Sequence, residues 1–133
     1  MWRRATLMIA AWVEILVGVS FVLATNGQSQ FVFGTTLDGA GAGFARLAGI
    51  GLISLGIACL PSDHFETNRR AVRTLLVFNI AATILFAWIG VATTFRGVML
   101  WPVVILHAVL AIALAFSLSK ESFALKHSAA RAL

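Results

Sequence analysis

Four runs of mostly apolar residues constrain the fold of this chain more than any other feature. They cover residues 5–24, 39–60, 71–92 and 98–118. A helix of about twenty residues, at 1.5 Å per residue, spans the roughly 30 Å hydrocarbon core of a bilayer. Because a backbone in lipid must satisfy its own hydrogen bonds, we predict that each run is a helix. The predicted fold is all-α: one domain, residues 1–133, built as an integral membrane bundle of four transmembrane helices.

The composition favours a membrane protein and excludes several other classes. Hydrophobic residues make up 60% of the 133-residue chain and charged residues only 11%, against about 25% in an ordinary soluble domain. The net charge of +5 is not a nucleic-acid signal, because the basic residues flank apolar runs instead of clustering on a soluble motif. We therefore expect the lipid bilayer to surround this chain and expect no nucleic acid as a partner.

The basic residues lie mostly at one end of the predicted helices. Of the ten Lys and Arg residues, all except Arg46 and Arg96 lie before the first run, near the second loop or after the fourth run. The positive-inside rule places that end in the cytoplasm. We predict a multi-pass topology with both termini cytoplasmic (N-in, C-in), an outer loop at 25–38 and a cytoplasmic tail at 119–133.

Several residues suit the predicted helix ends. Asp38 is of a type that caps helix N-termini, Pro61 ends the second run, and Pro102 falls in the first turns of the fourth, where proline is tolerated. The first run has a signal peptide as its alternative interpretation, but it is longer than a typical signal-peptide core and contains Glu14. In the outer loop, we expect residues 31–33 (Phe-Val-Phe) to form a short strand or to dip into the lipid headgroups.

Each predicted helix carries one strongly polar side chain. These residues are Glu14, Arg46, Asn79 and His107. From the helical rise, Glu14, Asn79 and His107 lie about 12 to 16 Å from the cytoplasmic edge and Arg46 about 21 Å. A charged side chain at mid-membrane costs roughly 2.5 to 3.5 kcal/mol on insertion scales, so Glu14 needs a partner or a function. We predict that the four residues form a buried polar cluster, which is a candidate ligand or proton site.

Small residues accompany the polar ones at helical spacing. The candidates for close helix packing are Gly18, Gly41, Ala45, Gly49, Thr83 and Ala111. Small residues let membrane helices approach closely, so these rows predict helix interfaces and inward-facing polar side chains.

A purely structural role is the alternative interpretation of the polar cluster. In that case Glu14 forms a buried ion pair with Arg46, while Asn79 and His107 contribute interhelical hydrogen bonds that fix the helix register. The sequence leaves both interpretations open, and with them the question of whether Glu14 carries a charge.

The sequence lacks recognisable motifs for metal, cofactor or catalytic chemistry. A single cysteine, Cys59, leaves no internal disulfide and no cysteine cluster. Of the three histidines only His107 falls in an apolar run, since His64 and His127 lie in predicted cytoplasmic segments, and zinc requires three or four ligands. No nucleotide-binding glycine pattern or nucleophile elbow is present. We therefore expect no metal, no cofactor and no catalytic residue.

Two resemblances to known families bear on location. With its size, its four-helix layout and Glu14 alone on the first helix, the chain resembles the small multidrug resistance transporters, whose helix-one glutamate binds protons and cations. The long first loop, the one-sided charge and Arg46, which would repel a cation, argue against membership. Residues 45–51 (ARLAGIG), 100–102 (LWP) and 106–108 (LHA) are similar to DoxX-like and other small bacterial four-helix membrane proteins. This resemblance implies a bacterial inner (plasma) membrane.

Three functions remain open from the sequence. The favoured one is a small non-enzymatic accessory or ligand-binding subunit, which forms a homo-oligomer or docks onto a larger membrane complex. The main alternative is a proton-linked transporter or channel that uses Glu14 and His107. The third is a membrane enzyme with these residues as acid and base, acting on a lipophilic small molecule such as a quinone or isoprenoid. An accessory protein needs only a closed core, a transporter needs a water path to Glu14, and such an enzyme needs a lateral opening to lipid.

Overall fold

The computed structural model of the chain describes residues 2–130, with side-chain environments for residues 4–119. Its helices, in chain order, are α1 (Trp2–Leu23), α2 (Thr25–Phe33), α3 (Gly39–Ala58), α4 (Phe65–Ala92) and α5 (Leu100–Ala130). Every regular element in this part of the chain is a helix, which confirms the all-α prediction. Helices α1, α3, α4 and α5 are each long and apolar enough to cross a membrane. They indicate a multi-pass membrane protein.

The outer loop predicted at 25–38 contains the short helix α2. Its buried residues follow helical spacing and face the other helices: Thr25, Ser29 and Val32. Residues 31–33 form the last turn of α2 and not a short strand, which is one of the two alternatives predicted for them. Gly34 ends the helix in the left-handed conformation, at φ 75°, and its N–H donates to the carbonyl of Gln30. α2 has only nine residues and only one buried face, so its sequence contains no long apolar run that would predict it.

Helices α4 and α5 are longer than the apolar runs that predict them. α4 begins at Phe65, because the Asn68 side chain stabilises the preceding turn. The Ser62 N–H donates to Asn68 Oδ1 (2.8 Å), and Asn68 Nδ2 donates to the Ser62 carbonyl (2.7 Å). α5 continues through most of the predicted tail, since no glycine or proline follows Pro102 to end it.

Helix α3 begins and ends near its predicted bounds. Asp38 is its N-cap residue, with extended backbone angles, although its side chain makes no capping hydrogen bond. The last helical residue is Ala58, followed by Cys59 as the C-cap residue and then by Pro61, which cannot continue the hydrogen-bonded helix.

The long helices pack as two pairs. α1 packs closely along α3 and α4 along α5, whereas contacts between the two pairs are fewer. In the first pair the backbones nearly touch: a Cβ atom placed on Gly18 would lie 2.6 Å from the carbonyl oxygen of Gly49. A Cβ on Gly56 would lie 2.6 Å from the carbonyl oxygen of Ala11. Glycine at these positions therefore sets the distance between α1 and α3.

A buried apolar core closes the end of the bundle at which α1 begins. It is formed by Leu7, Ala10, Cys59, Ala71, Val72, Leu75, Leu110 and Leu114. At the same end, Arg4 on α1 forms an exposed ion pair with Asp63 in the turn before α4, at 3.0 Å. The polar residues at mid-helix lie on the far side of this core.

Helix α2 lies across the opposite end. It contacts α1, α3 and α5. The turn between α4 and α5 pins its last residues: the Arg96 N–H donates to Phe33 O (3.1 Å) and the Met99 N–H donates to Phe31 O (3.0 Å). Gly97 packs directly on the backbone of Val32, where a Cβ atom would overlap the peptide group. α2 is thus held as a cover over that end of the bundle.

Candidate functional site

A hydrogen bond between α4 and α5 forms the centre of the site. Asn79 is fully buried and His107 is almost so. Asn79 Oδ1 and His107 Nδ1 are 2.8 Å apart. Asn79 Nδ2 donates to the Leu75 carbonyl at 2.8 Å, and together with the bond to His107 this fixes the orientation of the Asn79 side-chain amide. The Thr83 hydroxyl donates to the backbone carbonyl of Asn79 at 2.7 Å.

Two aromatic side chains of α4 hold the ring of His107. Phe86 stacks on it, with ring centroids 5.9 Å apart and an interplanar angle of 11°. Phe78 meets it edge-on, also at 5.9 Å, with an angle of 77°. Packed between these rings and bonded to Asn79, the imidazole has one defined orientation.

Glu14 of α1 approaches this centre with part of its carboxyl group unsatisfied. The side chain is 1% exposed. Its carboxyl group interacts with the Asn79 side chain, but Oε1 has no hydrogen-bond partner among residues 4–119. Leaving a buried polar atom unpaired costs about 1–3 kcal/mol, and native structures keep few such atoms. Oε1 is therefore an unsatisfied buried oxygen at the polar centre, an exception of the kind that native structures seldom keep.

A small cavity of about 90 Å³ lies beside Glu14 and His107. Gln28 and Val32 line the side of this cavity that α2 forms. Because a water molecule occupies about 30 Å³ in the liquid, the cavity holds a group of a few heavy atoms and no more. We call it the inner chamber.

A much larger groove, of about 790 Å³, separates α3 from α4. These two helices hardly touch, and the small residues on their facing surfaces leave the space between them unfilled: Gly41, Ala45, Ala48, Gly51, Ala81 and Ala82. Phe44 and Leu85 at its rim are 72% and 52% exposed. The groove thus opens sideways, toward the region that lipid occupies around such a bundle.

The groove and the inner chamber share one wall. Phe21, Leu52, Phe78 and Phe86 line both spaces. A molecule lying in the apolar groove is therefore separated from Glu14 and His107 by only one layer of side chains. Three of the four are aromatic rings, and two of these, Phe78 and Phe86, also contact the ring of His107.

The structure brings three of the four predicted cluster residues together and leaves the fourth outside. Glu14, Asn79 and His107 meet in the interior, whereas Arg46 is exposed on α3 and makes no ion pair within the described part of the chain. The ion pair between Glu14 and Arg46, which the purely structural interpretation requires, is not formed. Arg46 precedes Gly49 by three residues. Its side chain therefore lies about 60° around the helix axis from the face of α3 that packs on α1.

The predicted packing residues divide between helix contacts and the groove. Gly18 and Gly49 form the close approach of α1 and α3, and Ala111 is buried on α5. Gly41 and Ala45 line the groove. Thr83 contributes through its hydroxyl, which is bonded to Asn79.

Sequence reasoning missed the chamber wall and its cover. Phe78 and Phe86 are eight residues apart on α4, about two helical turns, and Asn79 and Thr83 lie between them. This spacing is a signal in the sequence for an aromatic-lined site. Gln28 had no such signal, because its role depends on α2 folding back over the bundle.

Neither a metal centre nor a known relative supplies a further clue. Among the residues with described side chains, no group of three or more His, Cys, Asp or Glu side chains is placed to hold a metal ion. Comparisons of the chain with protein-family models, with curated proteins and with solved structures find no match.

Proposed function

We propose that this chain is a bundle of four transmembrane helices that binds a lipophilic molecule with a small polar head group. One observation carries the proposal: an apolar groove open to lipid ends one side-chain layer from a buried polar chamber with an unpaired carboxyl oxygen. The hydrocarbon part of the ligand lies between α3 and α4, and its head group enters the chamber beside Glu14 and His107.

The bundle has both termini in the cytoplasm of a bacterium and lies in its inner (plasma) membrane. Support for this orientation comes from charge. Arg4 and the arginines of the first turns of α4, namely Arg69, Arg70 and Arg73, share one end of the helices. Cytoplasmic ends carry such an excess of Lys and Arg.

Selectivity for the ligand comes from the chamber rather than the groove. In a bilayer, moving a hydrocarbon chain from lipid into an apolar groove gains little, because lipid tails are as apolar as the groove itself. A hydrogen bond made in the chamber is different, since it satisfies a polar atom that otherwise stays unpaired. The groove admits and aligns the chain, and the polar centre distinguishes one head group from another.

The described geometry favours binding over transport. A transporter that carries protons through Glu14 needs access from Glu14 to each side of the membrane in turn. The apolar core around Leu7, Leu75 and Leu114 closes one side, and α2 covers the other. The lateral opening also suits a membrane enzyme on a lipophilic substrate, with Glu14 and His107 as acid and base, and this is the second candidate.

Binding of a tritiated C20 isoprenoid alcohol to the purified protein in lipid nanodiscs tests the proposal. Ala48→Trp and Ala81→Trp fill the groove, whereas Val91→Trp adds the same side chain on the opposite, 77% exposed face of α4. We expect saturable binding to the wild type and to Val91→Trp, and at least about tenfold weaker binding to both groove variants. Equal binding by all four proteins would refute the proposal.

A further inference from the structure

The hydrogen bonds of Asn79 determine which atom of His107 is left for a ligand. The Leu75 carbonyl can only accept, so the Asn79 atom 2.8 Å from it is the amide nitrogen. The Asn79 oxygen therefore faces His107 Nδ1, and Nδ1 is the donor of the bond between them. In the neutral ring, Nε2 then carries the lone pair.

The imidazole ring of His107 cannot easily flip to swap the positions of Nδ1 and Nε2. Phe86 covers one face and Phe78 meets the ring edge-on. Turning the ring over would also break the bond to Asn79, which is buried away from water. Nε2 has no partner among the residues with described side chains, so it is the atom of His107 that remains to accept a hydrogen bond.

Glu14 lines the chamber beside His107, and its Oε1 is unpaired and buried. A head group that pairs with His107 Nε2 in this chamber must give it a hydrogen. A hydroxyl group is a small donor, and it fits a chamber of about 90 Å³.

Resting on the proposed function, we infer that the ligand is a lipid alcohol whose hydroxyl group donates to His107 Nε2. An aldehyde, ketone or ester only accepts, so it leaves Nε2 unpaired. An ionised carboxylate likewise only accepts and leaves Nε2 unpaired. An amine in its ammonium form carries a charge into a chamber walled by Phe21, Leu52 and Phe78.

Competition between matched probes tests this inference in the same nanodiscs. The tritiated C20 isoprenoid alcohol is displaced by the unlabelled alcohol, by the aldehyde of equal chain length and by the corresponding amine. The alcohol and the aldehyde have the same number of heavy atoms and differ in the O–H donor. We expect the wild type to bind the alcohol about tenfold or more tightly than the aldehyde or the amine, since a lost hydrogen bond leaves Nε2 unpaired.

A His107→Leu variant assigns the preference to this side chain. The variant should bind the alcohol and the aldehyde within about a factor of two of each other, because the acceptor is gone. A preference for the alcohol that persists in His107→Leu would overturn the assignment. The comparison of probes on the wild type needs no variant, so it decides the inference even if His107→Leu does not fold.

The outcomes also separate this inference from the proposed function. If the wild type binds the alcohol and the aldehyde equally, and the groove variants bind neither, the groove site stands and the inferred head group is wrong. If the amine binds most tightly, the hydroxyl assignment is likewise wrong. If no probe binds saturably to the wild type, the proposed function fails, and the inference fails with it.

Discussion

Replacing Gly49 by alanine tests whether backbone contact holds α1 against α3. Gly49 is buried on α3 opposite Gly18. A Cβ atom at position 49 would lie 2.7 Å from the carbonyl oxygen of Gly18, and 3.0 Å from both Phe21 Cβ and Val22 Cγ2. The carbonyl oxygen and Phe21 Cβ cannot swing away by rotation of a side chain. The two helices must therefore move apart to admit the methyl group.

The expected cost follows from these distances. Ordinary contacts of a Cβ atom begin at 3.4 Å, so the helices must separate by about 0.7 Å at this point, which loosens the neighbouring contacts as well. Inserting a methyl group into a closely packed site costs typically about 1–3 kcal/mol. Alanine regains up to about 1 kcal/mol over glycine in helix propensity. With the full gain in propensity the net loss is up to about 2 kcal/mol, which is a factor of up to about 30 in the unfolding equilibrium.

Gly43→Ala is the matched control for this experiment. Gly43 lies on the same helix, but a Cβ atom there would have nothing within 4 Å. It therefore reports the gain in helix propensity alone. Unfolding by SDS in mixed micelles, followed by circular dichroism, should show Gly49→Ala less stable than the wild type and Gly43→Ala equal or more stable. Equal stability of the two variants would refute the close approach of α1 and α3.

Three further predictions concern the cover, the polar centre and the topology. Gly97→Ala should detach α2, because its Cβ atom would overlap the backbone of Val32; hydrogen exchange of residues 25–33 should rise, and unchanged protection would contradict the docking of α2. A double-mutant cycle of Glu14→Gln with Arg46→Gln should give a coupling below about 0.5 kcal/mol, whereas a true buried pair would give several kcal/mol. An alkaline phosphatase inserted after Thr35 should be active and one fused to the C-terminus inactive, and the reverse pattern would invert the proposed orientation.

The long helices could be predicted because their signal is local. A run of twenty apolar residues identifies itself without reference to any other part of the chain. The first turns of α4 could not be found in this way, since they are polar and owe their helical form to the paired hydrogen bonds of Asn68 with Ser62. α2 could not be predicted for a related reason. Its buried face is short, and it can be recognised only once the positions of the other helices are known.

The sequence predicts how deep in the bundle the candidate site residues lie, but it does not predict which way their side chains face. Helical rise alone places Glu14, Asn79 and His107 at one level, and the three do meet in the structure. The direction in which a residue faces depends on how each helix is rotated about its axis. For α3 that rotation is set by the contact of Gly49 with Gly18, and it turns Arg46 away. The groove had no sequence signal, since it arises where α3 and α4 fail to pack.

This missing contact between α3 and α4 divides the chain into two halves at the turn 59–64. Each half is a helical hairpin whose main packing partner lies within itself, so each can insert into a bilayer before the two associate. Co-expressed fragments 1–60 and 61–133 should therefore find one another. Asn79 and His107 lie in the second half and Glu14 in the first. The polar centre is thus complete only after the halves join, and ligand binding would report the assembly of the chain itself.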